Sequence, residues 1–155
     1  MPVIKDPQKP DLRAKAMSYL ARREYSRAEL QHKLNALTED EAEVEAVLDD
    51  LTKRKLLSEA RFVEQIVHAR QNKFGSRRIQ HELRQKGVSE AAIENAVADF
   101  KLTELDTART VWQKKFGELP TSANERAKQM RFMQSRGFSM NIIFKLISGK
   151  SDEDE

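Results

Sequence analysis

The feature that most constrains the fold of this chain is a stretch of sequence that occurs twice. Residues 30–34 read Leu-Gln-His-Lys-Leu, and 49 positions later residues 79–83 read Ile-Gln-His-Glu-Leu. Self-similarity at a fixed period is typical of tandem units that each pack on their neighbours. The same offset continues without a gap, so that Ala42, Val44, Leu48, Asp50 and Leu51 correspond to Ala91, Ile93, Val97, Asp99 and Phe100.

A fainter third copy follows about 50 residues after the second. Residues 87–89, Gly-Val-Ser, match residues 137–139, Gly-Phe-Ser, and Ile93 matches Ile143. A period of this length has room for three helices, so we predict three tandem three-helix units. The predicted organisation is an N-terminal lead at 1–10, units at 11–56, 57–101 and 102–149, and an acidic tail at 150–155.

The positions of proline and of apolar side chains indicate that every unit is helical. No proline occurs between Asp11 and Leu119, and proline costs about 3 kcal/mol inside a helix. Apolar residues such as Leu30, Leu34 and Leu37 recur every three or four positions, which places them on one face of a helix. Each of the five glycines follows such a stretch, as a glycine that ends a helix does. We therefore predict an all-α fold of about nine helices.

Four short motifs predict where helices begin. In a capping box, a Ser or Thr side chain accepts a hydrogen bond from the backbone N–H three residues later. The carboxylate of a Glu at that later position accepts one in turn from the backbone N–H of the Ser or Thr. The motifs pair Ser26 with Glu29, Thr38 with Glu41, Ser122 with Glu125 and, in a weaker version, Thr103 with Asp106.

The composition favours small units in a row over one large core. Charged residues make up 34% of the chain and apolar residues 39%, respectively above and below the usual shares. A single three-helix unit buries little surface, and it gains stability from the neighbours on which it stacks. We therefore expect the units to form an elongated array.

The sequence offers no recognisable catalytic or metal site. It contains no cysteine, which excludes disulfides, thiol catalysis and cysteine-ligated zinc. His32, His68 and His81 belong to no metal-binding or catalytic motif, and we interpret them as surface residues. Trp112, the one tryptophan, falls in an apolar stripe and is predicted to be core. We predict neither enzymatic activity nor a cofactor.

Nothing in the sequence predicts a membrane location. No apolar run approaches the roughly 20 residues that span a bilayer, and the N-terminus lacks the apolar core of a signal peptide. We expect a cytoplasmic protein that acts as a monomer.

Charge is distributed unevenly along the chain. The formal net charge is +3, but residues 152–155 are all acidic, so the remainder carries +7. Residues 70–86 hold six bases and one acid, residues 126–136 hold four bases and no acid, and residues 39–50 hold seven acids and no base. This segregation favours a binding surface for a ligand that has both basic and acidic features. The candidate partner-binding residues are Arg70, Lys73, Arg77, Arg78, Arg84, Lys86, Lys128, Arg131 and Arg136.

Residues 74–88, Phe-Gly-Ser-Arg-Arg-Ile-Gln-His-Glu-Leu-Arg-Gln-Lys-Gly-Val, resemble the central signature of the RecX family of RecA regulators. The resemblance extends from about residue 12 to residue 147. One departure is that residues 53–57, Lys-Arg-Lys-Leu-Leu, lack the glycine that the family commonly has there. Further matching segments are residues 23–30, 33–34, 60–63, 115–117, 132–133 and 136–138.

The resemblance implies a curved array of three-helix repeats that binds RecA filaments on DNA along their helical groove. It also implies inhibition of RecA's ATP hydrolysis, strand exchange and co-protease activity, and thereby control of recombination, DNA repair and the SOS response. Our hypothesis is that the second helices of units two and three present their arginines to that groove, since arginine offers a rigid fork to carboxylates and phosphates.

An alternative function remains open at this point. Residues 77–100 are predicted to form a helix, a turn at Gly87 and a second helix, an arrangement that imitates a helix-turn-helix. The chain would then be a helical DNA-binding module that acts directly on nucleic acid. Its affinity would fall steeply with salt, by a slope of about 0.9 per phosphate contacted on a log–log scale.

Overall fold

The structure of the chain, a computed structural model, describes residues 10–148. Gly149, the predicted acidic tail at 150–155 and all but the last residue of the predicted N-terminal lead lie outside the described residues. Within this range every regular element is a helix, which confirms the all-α prediction. The helices are α1 (Leu12–Leu20), α2 (Arg27–Asn35), α3 (Glu41–Lys53), α4 (Glu59–Arg70), α5 (Ser76–Gln85), α6 (Glu90–Lys101), α7 (Glu104–Lys115), α8 (Ala123–Ser135) and α9 (Met140–Ile147).

The described residues form two compact parts, which are named here by their position in the chain. The N-terminal part comprises the described residues up to Phe62 together with Lys86–Val88, and the C-terminal part comprises Val63–Gln85 and the described residues from Ser89 onward. In the N-terminal part, α1, α2 and α3 pack on one another. Their apolar faces enclose a core that includes Leu12, Ala16, Leu30, Leu34, Val44, Leu48 and Leu51.

In the C-terminal part, α5 packs on α6, and α7 and α8 both pack on α9. Trp112 is buried here beside Ala108 and Met133, as its apolar stripe predicted. Its indole N–H donates a hydrogen bond of 2.9 Å to Oε1 of Gln129, so the polar edge of the ring is satisfied inside the core.

The helix starts agree only partly with the predicted capping motifs. Ser26 forms the complete capping box with Glu29. Ser122 accepts a hydrogen bond from the Glu125 N–H. The Glu125 carboxylate, however, accepts from the backbone N–H of Thr121 and not from that of Ser122. The prediction for Thr38 was wrong, because Asp40 caps α3.

The weaker motif at Thr103 was also wrong. Thr103 makes no capping hydrogen bond to α7, and its hydroxyl donates to the carbonyl of Phe100 at the end of α6. A short polar side chain between two helices can satisfy either one, and the sequence does not say which.

The glycines also divide into two kinds. Gly87, Gly117 and Gly137 have positive φ angles directly after α5, α7 and α8, as predicted for helix C-termini. Gly75 was predicted to end a helix as well, but it directly precedes α5. It is needed for space, since a Cβ at Gly75 would lie 2.6 Å from the Phe138 nitrogen.

Among the helices within residues 10–148, none is long and apolar enough to cross a membrane.

Candidate functional site

Three of the nine predicted partner-binding bases are paired with carboxylates of the same chain. Arg70 makes a two-bonded pair with Glu82 at 3.1 and 3.2 Å, and the hydrogen bond to Glu82 raises the pKa of Arg70. Such pairing cancels much of the field that a partner would meet. The other two pairs join Arg84 to Glu90 at 2.7 and 3.1 Å and Lys86 to Glu29 at 3.3 Å.

Two further bases, Arg78 and Arg136, stack on aromatic rings. The guanidinium carbon of Arg78 lies 4.1 Å from the ring centre of Phe74. The guanidinium of Arg136 lies 5.6 Å from the same ring and 5.1 Å from the ring of Phe132. These distances are in the range of cation–π attraction. The two arginines, which lie 58 positions apart in the sequence, therefore belong to one cluster.

Backbone hydrogen bonds hold the start of α5 against the turn between α8 and α9. The Gly75 N–H donates to the Arg136 carbonyl at 2.7 Å, and the Arg77 N–H donates to the Gly137 carbonyl at 3.1 Å. From the side chains, Nη1 of Arg78 donates to the Ser135 carbonyl at 3.3 Å. Since the last carbonyls of a helix lack partners within it, Arg78 helps to cap α8.

The remaining four predicted bases, Lys73, Arg77, Lys128 and Arg131, have exposed side chains. None of them has a side-chain hydrogen bond or ion pair with any residue in 10–148. Lys128 and Arg131 are three positions apart on α8, on the side away from the buried Met133. They share one helical face and can reach an anionic partner without breaking an existing contact.

The stacked cluster contains side chains that the charge pattern did not select. Lys115 lies 5.3 Å from the Phe132 ring, and the Phe116 ring meets Phe132 edge to face at 5.4 Å. A signal was present in the sequence, because Phe74 and Phe132 each stand within a basic run. Charge counting alone gave them no weight.

Glu104 is the residue that sequence reasoning missed altogether. It opens α7, is 3% exposed, and its Oε1 accepts a hydrogen bond of 2.8 Å from the backbone N–H of Ser76. It therefore fixes the first turn of the helix that carries Arg77 and Arg78. No local motif could have indicated this contact, since the two residues are 28 positions apart.

The acidic face of α3 is partly neutralised within the N-terminal part. Arg27 pairs with Glu45 at 3.0 Å and with Asp49 at 2.7 Å, while Asp50 pairs with Arg13 and Arg54. The carboxylates of Glu45 and Asp49 remain 60% and 64% exposed. They leave a second, anionic surface for contact with basic groups.

The predicted histidines all lie on helix surfaces. His32, His68 and His81 are exposed, which confirms the interpretation of them as surface residues. Within the described residues, no group of three or more histidine or carboxylate side chains could hold a metal ion. The arrangement as a whole is suited to binding charged surfaces.

The sequence matches three domain models of the RecX family in chain order. Residues 13–51 match the first three-helix domain of RecX, residues 58–97 the second and residues 103–147 the third. Three tandem three-helix domains are therefore confirmed for this chain.

Curated relatives match over most of their length. The Regulatory protein RecX of Leptothrix cholodnii is 48% identical over 132 residues, which cover 85% of this chain and 84% of that protein. The Regulatory protein RecX of Ralstonia pickettii is 39% identical over 152 residues, which cover 98% of this chain and 94% of that protein.

A solved structure shares the fold. The crystal structure of RecX from Lactobacillus salivarius matches with a TM-score of 0.79 at 20% identity, over 92% of this chain and 96% of that one. The domain models and the curated relatives together cover the whole described range of helices. The chain therefore belongs to the RecX family of regulatory proteins.

Proposed function

We propose that this chain binds RecA filaments assembled on DNA and inhibits RecA's ATP hydrolysis, strand exchange and co-protease activity. In this way it would control recombination, DNA repair and the SOS response. The observation that carries the proposal is the match to all three RecX domains in order. Relatives that are 39–48% identical carry the name of a regulatory protein, and the resemblance in the sequence points to RecA as the target.

The surface for this binding consists of two groups of bases on α5 and α8. Arg77, Lys128 and Arg131 are exposed and have no side-chain ion pair among the described residues, so they supply the charge that a partner meets first. Arg78 and Arg136 are stacked on Phe74 and present pre-oriented donors. Of the nine predicted bases, the ion-paired Arg70, Arg84 and Lys86 contribute less, because binding through them would first break an existing pair.

The proposed mechanism is that the chain occupies the helical groove of the RecA filament. A chain that contacts neighbouring subunits in the filament groove hinders the subunit movements that accompany ATP turnover, or it favours disassembly. Such a regulator performs no chemistry of its own, in agreement with the lack of a catalytic motif in the sequence.

We further propose that it acts in the cytoplasm as a monomer, with the predicted units at 11–56, 57–101 and 102–149 as its repeats.

A second candidate is the DNA-binding module, which the acid-free run of bases at 126–136 favours. In a helix-turn-helix the second helix enters the major groove, and here that helix would be α6. The exposed residues of α6 include Glu90, Glu94 and Asp99, which phosphates would repel. Direct contact with DNA is therefore better assigned to other residues than those of α6.

The deciding experiment is RecA's DNA-stimulated ATP hydrolysis, with this protein added below one copy per RecA subunit and single-stranded DNA in excess. Inhibition that persists despite spare DNA supports the filament as target. Inhibition that disappears when DNA is added, or no inhibition at all, supports the DNA-binding module instead.

The residues can be tested in the same assay. Arg77→Glu is expected to weaken inhibition several-fold with unchanged helicity by circular dichroism, because its side chain is exposed. Arg22→Glu makes the same charge change at an exposed site on the N-terminal part and is the matched control. Equal inhibition by wild type and Arg77→Glu would remove Arg77 from the binding surface.

A further inference from the structure

A polar cavity lies beside α7 in the C-terminal part. It has a volume of about 520 Å³ and is enclosed between α7 and the two residues that follow α4, Gln71 and Asn72. A volume of this size is typical of sites that take a small molecule or a short segment of chain. None of the nine predicted partner-binding bases lines the cavity, so it is a separate surface from the basic runs on α5 and α8.

One face of α7 forms the longer wall of the cavity. Thr103 directly precedes the helix, and Thr107, Thr110 and Lys114 follow at steps of four, three and four residues, which places all four on one side. From Thr103 to Lys114 this wall is about 16 Å long, at the rise of about 1.5 Å per helical residue. That length matches about five residues of extended chain.

The two walls of the cavity are held in position by hydrogen bonds of the chain itself. The Glu104 carboxylate at the start of α7 accepts a hydrogen bond of 2.8 Å from the Ser76 N–H at the start of α5. The turn after α4 is closed by the N–H groups of Lys73 and Phe74, which both donate to the Arg70 carbonyl at 3.0 Å. A site that is formed in advance loses little conformational freedom when a ligand binds.

Several polar groups in the cavity have hydrogen-bonding capacity that the chain does not use. Gln71 and Thr107 are half-buried, yet neither side chain makes a hydrogen bond with any residue in 10–148. The hydroxyls of Thr103 and Thr110 donate to the carbonyls of Phe100 and Asp106 at 3.3 and 3.1 Å, so toward the cavity they can only accept. The walls therefore offer donors and acceptors side by side.

The lining of the cavity narrows the class of ligand. Its seven residues, all within the described part of the chain, include no aromatic ring on which a nucleobase would stack. They include one cation, Lys114, and one anion, Asp106, so a polyphosphate would meet no net positive charge. The lining is suited to a neutral ligand that carries both donors and acceptors.

We infer that the cavity holds an extended segment of the partner protein's main chain, recognised through its peptide groups. A peptide unit presents one N–H and one C=O. The carboxamides of Gln71 and Asn72 present the same two kinds of group, so each can bond a donor and an acceptor of an extended main chain at once. The threonine hydroxyls accept from further N–H groups of the segment. This inference rests on the proposed function, because it takes the partner to be RecA.

The test compares two tryptophan substitutions on α7 for binding to RecA filaments assembled on single-stranded DNA. Thr107→Trp fills the cavity, and we expect it to weaken binding at least about tenfold. Gln113→Trp adds the same ring at an exposed position of α7 that does not line the cavity, and it should stay close to wild type. Fluorescence anisotropy of the full chain, labelled at its N-terminal amine, measures the affinities.

The outcomes distinguish the cavity from the proposed function. Binding by wild type that Thr107→Trp leaves unchanged would overturn the cavity while the proposed function stands. A lack of binding by wild type would overturn the proposed function and this inference with it. Equal weakening by Thr107→Trp and Gln113→Trp would also remove the cavity from the interface, because the loss would not depend on filling it.

A second variant removes the hydrogen bonds and keeps the shape. Gln71→Leu combined with Thr107→Val replaces the two half-buried polar groups by apolar groups of similar size, so it keeps the test valid even if Thr107→Trp folds poorly. We expect about five- to tenfold weaker binding with unchanged circular dichroism, whereas Gln113→Leu should bind as wild type does. Wild-type affinity of the double variant would overturn recognition through peptide groups.

A crosslinking experiment identifies the occupant directly. Asn72 is exposed at the rim of the cavity, and replacement by the photoreactive residue p-benzoylphenylalanine places a crosslinker there. With purified RecA filaments we expect crosslinks to one short segment of RecA, and none to that segment from the same group at position 113. Crosslinks from position 72 to DNA, or scattered over the RecA surface, would overturn the inference.

Discussion

The carboxylate of Glu104 caps a helix to which it does not belong. Its Oε1 accepts a 2.8 Å hydrogen bond from the backbone N–H of Ser76, the first residue of α5, and both residues are almost fully buried. The residue before α5 is Gly75, which has no side chain to serve as an N-cap. A carboxylate at a helix N-terminus is favoured by the helix dipole as well as by the hydrogen bond.

We therefore expect Glu104→Ala to lower the free energy of unfolding by about 2–3 kcal/mol, because it leaves a buried N–H without a partner and opens a small cavity. Glu104→Gln keeps an acceptor oxygen and should cost about half as much. Urea unfolding measures both. Glu94→Ala, at an exposed position on α6, is the control and should change stability by less than about 0.5 kcal/mol. A Glu104→Ala variant as stable as this control would contradict the capping role.

A comparison of substitutions at Gly137 and Gly117 distinguishes the cost of backbone strain from the cost of a steric collision. Both have a positive φ, of 90° and 72°. A side chain at Gly137 would collide with the Arg78 backbone, whereas the nearest atom at Gly117 is the Gln113 carbonyl oxygen at 3.4 Å. Gly117→Ala should therefore lower the free energy of unfolding by about 1 kcal/mol, because only the strain of the positive φ angle opposes the new side chain. Gly137→Ala should lower the free energy of unfolding by at least about 3 kcal/mol. Urea unfolding measures both variants. Equal losses of stability would show that the collision at Gly137 is relieved without cost.

Lys55 is a residue whose replacement by glycine should stabilise the chain. It has a φ of 62° directly after α3, and in this left-handed region a side chain costs about 1–2 kcal/mol. Hydrogen bonds from the Arg61 guanidinium to the carbonyls of Lys55 and Leu56 hold the turn in place. We expect Lys55→Gly to raise the free energy of unfolding by about 0.5–1 kcal/mol, after the entropy gained by the unfolded chain is subtracted.

The matched control for this variant is Lys53→Gly, two residues earlier. Lys53 is the last residue of α3, so glycine there should destabilise the chain by up to about 1 kcal/mol. Both variants lose one lysine charge, and only the backbone conformation differs between them. Destabilisation by both substitutions would argue against strain at Lys55.

Glu29 makes the stability of the N-terminal part depend on pH. Burial by itself would raise the pKa of Glu29, but hydrogen bonds from Arg23 and from the Ser26 N–H outweigh burial and hold the pKa below its ordinary value. A lowered pKa in the folded state means that the carboxylate contributes stability above its unfolded pKa of about 4, and that this contribution is lost as pH falls through the folded value. We expect the urea midpoint to fall as pH decreases from 5 to 3.

Glu29→Gln isolates that contribution. Glutamine keeps the capping box but cannot ionise, so the variant should be less stable at pH 7 and should show a smaller fall between pH 5 and pH 3. Glu94→Gln, on an exposed helix face, should keep the wild-type pH dependence. An unchanged pH dependence in Glu29→Gln would assign the effect to other carboxylates.

The acidic residues 152–155 should weaken binding to any polyanion. Their removal raises the formal net charge from +3 to +7, and a more positive chain associates more tightly and faster with nucleic acid at low salt. We expect the shortened chain to bind oligo-dT several-fold more tightly at low salt, with the difference fading as salt is added. Replacement of the same four residues by Ser should have the same effect, and equal affinities at low salt would exclude an electrostatic role.

Much of the fold followed from short-range patterns. The three- and four-residue spacing of leucines such as Leu30 and Leu34 predicted helices, because helix geometry repeats over that distance and needs no knowledge of the partner surface. Gly87, Gly117 and Gly137 marked helix ends for the same local reason. The internal repeat predicted three units, and the basic runs on α5 and α8 were visible as composition.

The contacts between distant segments could not be read in this way. Counting charge treated Arg84 and Arg77 as equals, yet a carboxylate six positions away neutralises Arg84 while Arg77 has no side-chain partner among the described residues. Thr38 and Asp40 were both suitable caps for α3, and only the path of the chain between the helices selected Asp40.

The sequence by itself thus determined which segments are helical, where most of them end and which of them are basic. Tertiary structure decided which bases remain available, that Arg78 and Arg136 share the ring of Phe74, and that Glu104 caps α5. The physical reason is the distance along the chain over which each effect acts. Helix propensity and periodicity act over a few residues, whereas ion pairs and close backbone approaches depend on side chains that packing brings together from positions far apart in the chain.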